Sequence, residues 1–292
     1  MKAEKAEDPA PEYAVVILTW NSRRHIERCL QSLAEASSRS LQLIVVDNAS
    51  SDGTADLVGA IAPDAELLKN SRNRGVAAAR NQGLQRVRAP YAILLDDDTC
   101  VEPGAFDLLL EYLDRRPEVG LAGPRLVLPD GSIQPSCQLF PTVRDKLVRQ
   151  LPQPLGAPLL AEVELRDRDH RKTFEVDYVV GACQAIRMEA LREMGWLDDR
   201  IFYGPEDVDV CLRLQLSGYG VVYLGEAVVR HECQRVTRHR LDRLAWHHLM
   251  GLLHYYRTHR YFWSRSDLYR RISRVRRTSM EEGKRRCRRW CA

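Results

Sequence analysis

Three consecutive aspartates, Asp96, Asp97 and Asp98, close the apolar run "YAILL". Side chains alternate along an extended segment, so Asp96 and Asp98 project to one side and Asp97 to the other. Two carboxylates on one side suit a hard divalent cation, Mg²⁺ or Mn²⁺, which takes oxygen ligands, keeps several waters and is often completed by substrate phosphates. An ion held this way is short of protein ligands, and a diphosphate would fill the gap and relieve the repulsion within the triplet. A solvated acidic turn is the plain alternative. A second acidic pair, Glu206-Asp207, opens "EDVDVCLRLQLSG". Adjacent carboxylates raise one another's pKa, which suits proton transfer. Acidic residues also favour the first turn of a helix, and Asp209 is read that way. His231 and Cys233 lie close together, but without a second ligand pair they do not make a zinc site.

These residues need elements to position them. "YAVVILTW" (13–20) reads as a buried strand followed by the helix-capping pair Asn21-Ser22, with Ile26, Leu30 and Leu33 at helical spacing beyond it. The unit repeats: a strand over 41–47, the turn "NASSDGT", a helix over 54–61, a short strand at "AELLK", a helix of small residues over 73–87, and a strand over 91–95. Strand and helix alternating in this way predict a mainly parallel sheet flanked by helices, because parallel strands need crossover connections. Ligands of such sheets bind beyond the carboxyl ends of the strands. There the sequence places Thr19-Trp20-Asn21, Asp47-Asn48 and Asp96-Asp97-Asp98.

The second half is less regular. A helix over 103–115, a hairpin at "LPDGSIQ", a strand over 176–187 ending near a glycine, a helix from Glu206 with Val210, Cys211 and Leu214 on one face, and a last strand or two at "YGVVYLGEAVVRHE" are predicted. Residues 140–172, rich in proline and charge, read as an irregular insertion or flexible loop. Residues 241–263 read as helical, with Leu249, Leu252 and Leu253 as packing positions.

With 292 residues the chain can bury a sizeable core. No apolar stretch is long enough to cross a bilayer and the opening "MKAEKAEDPAPE" is unlike a signal peptide, so a cytoplasmic protein with reduced thiols is expected despite eight cysteines. The formal charge of +4 is concentrated in the tail "RRISRVRRTSMEEGKRRCRRW". That tail suits phosphates or anionic lipid, and equally a solvated helix or a disordered end. No nucleic-acid-binding module accompanies it.

The blocks "VVILTWNS", "IVVDNASSDGT", "NRGVAAARNQGL", "ILLDDDT" and "YGPEDVDVCLRLQLSGYGVVYL" occur in that order. Together they resemble glycosyltransferase family 2 over roughly residues 13–235. The resemblance implies a GT-A fold in an α/β domain over 13–240, with a nucleotide-binding half (13–100) and an acceptor half (101–240) between a polar leader (1–12) and a helical, basic extension (241–292). It implies that Thr19, Asn21 and Asp47 surround the nucleotide, that Asp96 approaches the ribose or sugar, that Asp98 holds the metal, and that Arg74 and Arg80 assist the diphosphate. Asp207 then corresponds to the base, with Glu206 beside it, and His231 to a histidine that completes the metal shell in some relatives. Asp97 receives no role. The implied reaction is metal-dependent, inverting transfer from a nucleotide-diphosphate sugar to a hydroxyl of a glycan, lipid-linked or small-molecule acceptor.

Many relatives of the rhamnosyl- and galactofuranosyltransferase type have Asn-Pro-Asp in place of the aspartate triplet and often have aromatics where Gly204-Pro205 precedes Glu206. "PDGSIQPSCQLFPT" (129–142) resembles rhamnosyltransferase-like members and points to a deoxysugar donor. The aromatic and basic "AWHHLMGLLHYYRTHRYFWSR" suits peripheral contact with a membrane surface. A non-catalytic nucleotide-sugar scaffold and a sugar nucleotidyltransferase are the competing readings. The second would carry a glycine- and lysine-rich phosphate loop, which "TWNSRRHIER" is not.

Overall fold

A computed structural model describes residues 10–232 and 243–290 of the chain. Most of the polar leader and Cys233 lie outside these residues.

The first half alternates as expected: β1 (Tyr13–Thr19), α1 (Ile26–Ser32), β2 (Leu41–Asp47), α2 (Thr54–Ile61), β3 (Glu66–Lys69), α3 (Val76–Leu84) and β4 (Tyr91–Asp96). In β1 the two-residue period sorts side chains between two cores: Ala14 and Val16 enter one, while Tyr13, Val15 and Ile17 enter the other. A strand covered on both faces reads as an unbroken apolar run, which is how these segments look in sequence. Helix α3 lies very close to the sheet. A Cβ on Gly83 would sit 2.4 Å from Val16 Cγ1 and 3.2 Å from Val46 Cγ2.

Beyond β4 come β5 (Thr99–Val101), α4 (Ala105–Arg115), β6 (Val119–Val127), β7 (Cys137–Gln138), α5 (Val143–Val148) and α6 (Gln153–Leu160). Next are β8 (Phe174–Glu175), β9 (Tyr178–Val179), β10 (Cys183–Arg187), α7 (Met188–Met194), α8 (Glu206–Leu216) and β11 (Gly220–His231). The large sheet has the order β3-β2-β1-β4-β10-β6-β11-β5, with β8 also paired to β11. It is parallel from β3 to β4 and mixed thereafter, because β10 runs antiparallel to both its neighbours. The sheet is thus an α/β layer whose parallel half was legible from crossover spacing.

Two expectations for the second half are corrected. The strand over 176–187 is two strands: β9 pairs with β7 in a small separate sheet, and the chain bends at Gly181 before entering β10. A Cβ on Gly181 would stand 3.0 Å from Arg80 Nη1 and 3.4 Å from Asp207 Cβ, so the break lies where backbone passes between two site residues. Residues 140–172 are not structureless, since α5 and α6 fall within them. Helix α5 opens on a capping box in which Thr142 and Asp145 satisfy each other's backbone N–H groups. Six residues are too few for a helical period to show in sequence. The Pro-Asp-Gly hairpin forms as expected: Val127 bridges Ile133 in antiparallel pairing, and Leu128 N donates to Ser132 O and Gln134 N to Leu126 O, each at 2.9 Å.

The chain ends in α9 (Arg243–His259) and α10 (Ser266–Trp290). Tyr255 and Tyr256 are buried in the same core as β1 and α8, and Leu252 packs against it. Leu249 and Leu253, expected to pack, are exposed. The buried stripe instead runs through Gly251, Tyr255 and His259, because Gly251 presses against the backbone ahead of α8, where a Cβ would meet Gly204 O at 2.6 Å. Among the described residues no helix is long and apolar enough to cross a membrane.

Candidate active site

Strands β1 and β4 are parallel neighbours with Leu18 opposite Asp96, so both deliver their polar exits to one edge of the sheet. The N-terminus of α8 approaches the same edge. The result is a cleft of about 470 Å³ whose lining includes Asn21, Arg80, Asp96, Asp97, Asp98 and the pair Glu206-Asp207. Residues a hundred positions apart in sequence therefore share one space.

Asp96, Asp98 and His231 bring one ligand atom each to within 4.8 Å of one another. His231 arrives because the end of β11 pairs with β5, setting it opposite Thr99. Its Nδ1 lies 2.8 Å from Gln134 Oε1 and its Nε2 lies 3.2 Å from Asp98 Oδ1. Nδ1 donates to the amide oxygen, so in the neutral ring Nε2 presents a lone pair toward a carboxylate. That juxtaposition is satisfied by a second proton or by a cation between the two atoms. Burial opposes charge on the ring, but Asp98 and Asp96 outweigh it and raise its pKa. Two carboxylates and an imidazole fit a hard divalent ion, which would take phosphate oxygens and water as its other ligands. Gln134 fixes the ring, as outer-shell partners of metal-bound histidines do.

Arg80 is the buried cation of the site. Its Nη2 donates to Asp96 Oδ1 at 2.6 Å and to Gly181 O at 2.8 Å, and its Nη1 stands 3.9 Å from Glu206 Oε1. Burial raises the Asp96 pKa against the opposing pull of Arg80. Arg80 therefore stands between the carboxylate of Asp96 at the end of β4 and that of Glu206 at the start of α8. In Asp207, Oδ1 accepts from Val208 N at 2.8 Å and Oδ2 accepts from Gly181 N at 3.2 Å. Burial raises the pKa of both members of the pair, that of Glu206 to about 7, and Glu206 Oε2 has no hydrogen-bond partner. Asp209, assigned to its helix on sequence grounds, is buried and accepts from His259 Nε2 at 2.7 Å.

The remaining sequence candidates divide. Asn21, in a left-handed conformation (φ 53°), accepts from Ser51 N at 2.8 Å while its own N–H donates to Ser50 Oγ at 2.8 Å, so it shapes the loop after β2. Asp47 lies outside the main cleft lining. It is buried at the end of β2, with Oδ2 accepting from Ser50 N at 3.2 Å and Oδ1 without a partner, an acceptor left over for a ligand donor. Thr19 is buried at the exit of β1. Arg74 is exposed, and only its backbone is anchored, donating to Asn48 Oδ1 at 3.0 Å. Asp97, which had no role, also lines the cleft. Burial pushes its carboxyl up to about 7, against the hydroxyls of Thr19 and Ser22 beside it.

Sequence reasoning missed Lys146, His248 and Gln134. Lys146 comes from α5, inside the stretch read as irregular, and lines the cleft with Asp207. Burial and Arg149 lower its pKa to about 8, while Asp207 and Asp145 act against them. His248 lines the same cleft from α9, and burial and Lys146 push its pKa down to about 4. The capping signal Thr142-x-x-Asp145 was available to locate α5. Nothing local in sequence marks His248, which depends on how α9 docks.

Comparison with known proteins identifies the family and the fold. The family model described as Glycosyl transferase family 2 matches residues 14–195, which includes the aspartate triplet and stops before Glu206. The chain is 29% identical over 251 residues to the N-acetylglucosaminyl-diphospho-decaprenol L-rhamnosyltransferase of Mycobacterium tuberculosis, covering 80% of each protein. It is 31% identical over 243 residues to the pre-mycofactocin glycosyltransferase of the same species, covering 81% of this chain and 46% of that one. Two solved structures share the fold, each over 77% of this chain. GalNAc-T7 with UDP, GalNAc and Mn²⁺ matches at TM-score 0.55 and 15% identity, and this chain covers 44% of it. The mannosyltransferase PcManGT of Pyrobaculum calidifontis with GDP-Man and Mn²⁺ matches at 0.54 and 22%, with 58% covered. The chain thus spans about half the length of these two structures.

Proposed function

This chain belongs to glycosyl transferase family 2, and from that premise we propose that it moves a sugar from a nucleoside-diphosphate donor to an acceptor hydroxyl by a single, inverting displacement. The observation that carries this reading is the convergence of Asp96 and Asp98 with Glu206 and Asp207 on one cleft. The nucleoside lies toward Thr19, Asn21 and the open acceptor oxygen of Asp47. Asp96, Asp98 and His231 would hold a divalent cation. When bound, Mg²⁺ or Mn²⁺ supplies positive charge to the departing diphosphate. Arg80 keeps Asp96 oriented, and Arg74, whose side chain is exposed, is placed to meet the diphosphate from outside.

Asp207 takes the proton of the acceptor hydroxyl. Its two backbone hydrogen bonds fix the carboxylate, and its raised pKa makes it a stronger base than an ordinary aspartate. Glu206 shares the burial and the proton affinity and stands next to the reacting carboxylate. Attack from the Asp207 side, opposite the diphosphate, inverts the anomeric carbon. Similarity to the Mycobacterium rhamnosyltransferase supports a deoxyhexose such as rhamnose as the sugar and a lipid-diphosphate-linked sugar as the acceptor.

A panel of nucleotide sugars with Mg²⁺ or Mn²⁺, read as nucleoside diphosphate release, tests the proposal. Turnover is expected with at least one donor and is lost on chelation. Folded protein that turns over none of them would sink the reading. Asp207→Asn is expected to keep donor affinity and lower transfer by about 10²–10⁴-fold, the contribution of a positioned base.

A further inference from the structure

Among the described residues, every exposed large hydrophobic side chain other than Trp20, Leu108 and Ile133 lies in two stretches, 147–159 and 246–263. In the first, Leu147 lies in α5, Leu151 in the connection that follows it, and Leu155 and Leu159 one turn apart in α6. In the second, Trp246, Leu249, Met250 and Leu253 occupy one stripe of α9, at offsets of three, four and seven. Phe262 and Trp263 follow directly.

The two stretches adjoin. Val143 N donates to Phe262 O at 2.8 Å, Tyr256 Oη donates to Pro141 O at 3.1 Å, and Arg265 is bonded to Asp145. They also flank the cleft, since Lys146 and His248 line it while their chain neighbours Leu147 and Leu249 are exposed. Charge identifies what covers them. Residues 243–265 contain four arginines and no acidic residue, and Asp145, the one carboxylate within 143–160, is already spent on Arg265 and the cap of α5. Arg144, Arg257 and Arg260 are exposed among the apolar groups. Exposed tryptophan and leucine interspersed with arginine match a bilayer interface with anionic headgroups.

We propose that the outer faces of α5, α6 and α9 form a docking surface for an anionic lipid bilayer, which sets the mouth of the cleft at the membrane plane. The orientation rests on the transfer reading above, because a membrane-facing cleft mouth serves an acceptor carried on lipid. The surface itself stands on exposure and charge alone.

Full-length protein is mixed with vesicles of equimolar phosphatidylglycerol and phosphatidylcholine, or of phosphatidylcholine alone, and partitioning is read by co-sedimentation. Wild type is expected to pellet with the anionic vesicles and far less with the neutral ones. Leu249→Glu with Leu253→Glu, and separately Leu151→Glu with Leu155→Glu, are each expected to weaken partitioning about tenfold or more. Both pairs should keep the wild-type circular dichroism spectrum and donor turnover. Leu108→Glu, on the distant helix α4, should partition as wild type. Wild type that stays in the supernatant would overturn the proposal, as would equal loss in Leu108→Glu. So would light scattering that shows a wild-type dimer made monomeric by both pairs, since a second copy would then own the surface. Vesicle binding without turnover of any donor would support the surface and count only against the transfer reading.

Discussion

Glu206 lines the cleft largely buried, with one oxygen lacking a hydrogen-bond partner and Asp207 beside it, and burial raises its pKa to about 7. The native state therefore binds this proton more tightly than the unfolded chain does, and the native state loses relative stability as pH rises from the unfolded value of 4.5 through about 7. Below that window the group is neutral in both states and costs nothing through ionisation. Glu206→Gln removes the charge and nearly preserves the shape. It is expected to raise stability at pH 8 by on the order of 1–3 kcal/mol and to make no such difference at pH 4. Thermal unfolding of both proteins at the two values checks this, and an equal effect at both would mean that packing, not charge, is responsible. A stabilising loss of a site residue is what a cleft adapted to catalysis predicts. Arg80 offsets part of the charge of Asp96 and Glu206, but among the described residues no salt-bridge cation lies against Asp97, whose carboxyl is also pushed up to about 7.

Elements explain what could be read in advance. The parallel half is legible in the sequence because β1, β2 and β4 are apolar runs ended by polar residues, and that carboxyl-end polarity marks Asn21 and Asp96 to Asp98, which line the cleft. Small residues in α3 likewise announced close packing, and Gly83 bears this out. An alanine there gains helix propensity of about 1 kcal/mol over glycine, yet its Cβ would overlap Val16, and overpacking costs about 1–3 kcal/mol. Gly83→Ala is expected to lower the melting temperature. Gly59→Ala, on exposed α2 with nothing within 4 Å of the new Cβ, is expected to raise it. The same sign for both would mean that propensity alone decides. Legibility failed where elements are short or where position depends on docking. The bend at Gly181 is dictated by Arg80 and Asp207, both distant in sequence, and the six residues of α5 are too few to display a period around Lys146.

On the scale of the whole molecule, α9 and α10 complete the body from which the cleft is cut. The expectation of a basic extension over 241–292 captured the composition of this segment, but composition says nothing of its attachment. Tyr255, Leu268 and Ile272 enter the core shared with α3 and α8, and His259 bonds the buried Asp209 of α8. Tyr269 Oη donates to Asp177 Oδ2 at 2.6 Å, beside β9. The two aliphatic side chains contribute roughly 1.5–3 kcal/mol each on burial, the tyrosines cover more area, and removing His259 leaves a buried carboxylate without its imidazole partner. That total rivals the entire net stability of a domain, about 5–15 kcal/mol. A chain ending at residue 242 is therefore expected to lack a cooperative thermal transition and nucleotide binding. One ending at residue 278 retains Ile272, Tyr269 and Arg276, the last bonded to Glu175 and Gln215, and should keep both properties. Calorimetry with nucleotide titration on the two truncations separates the outcomes. A cooperative, nucleotide-binding protein ending at 242 would show that the sheet and α8 are self-sufficient and that α9 and α10 are an appended layer.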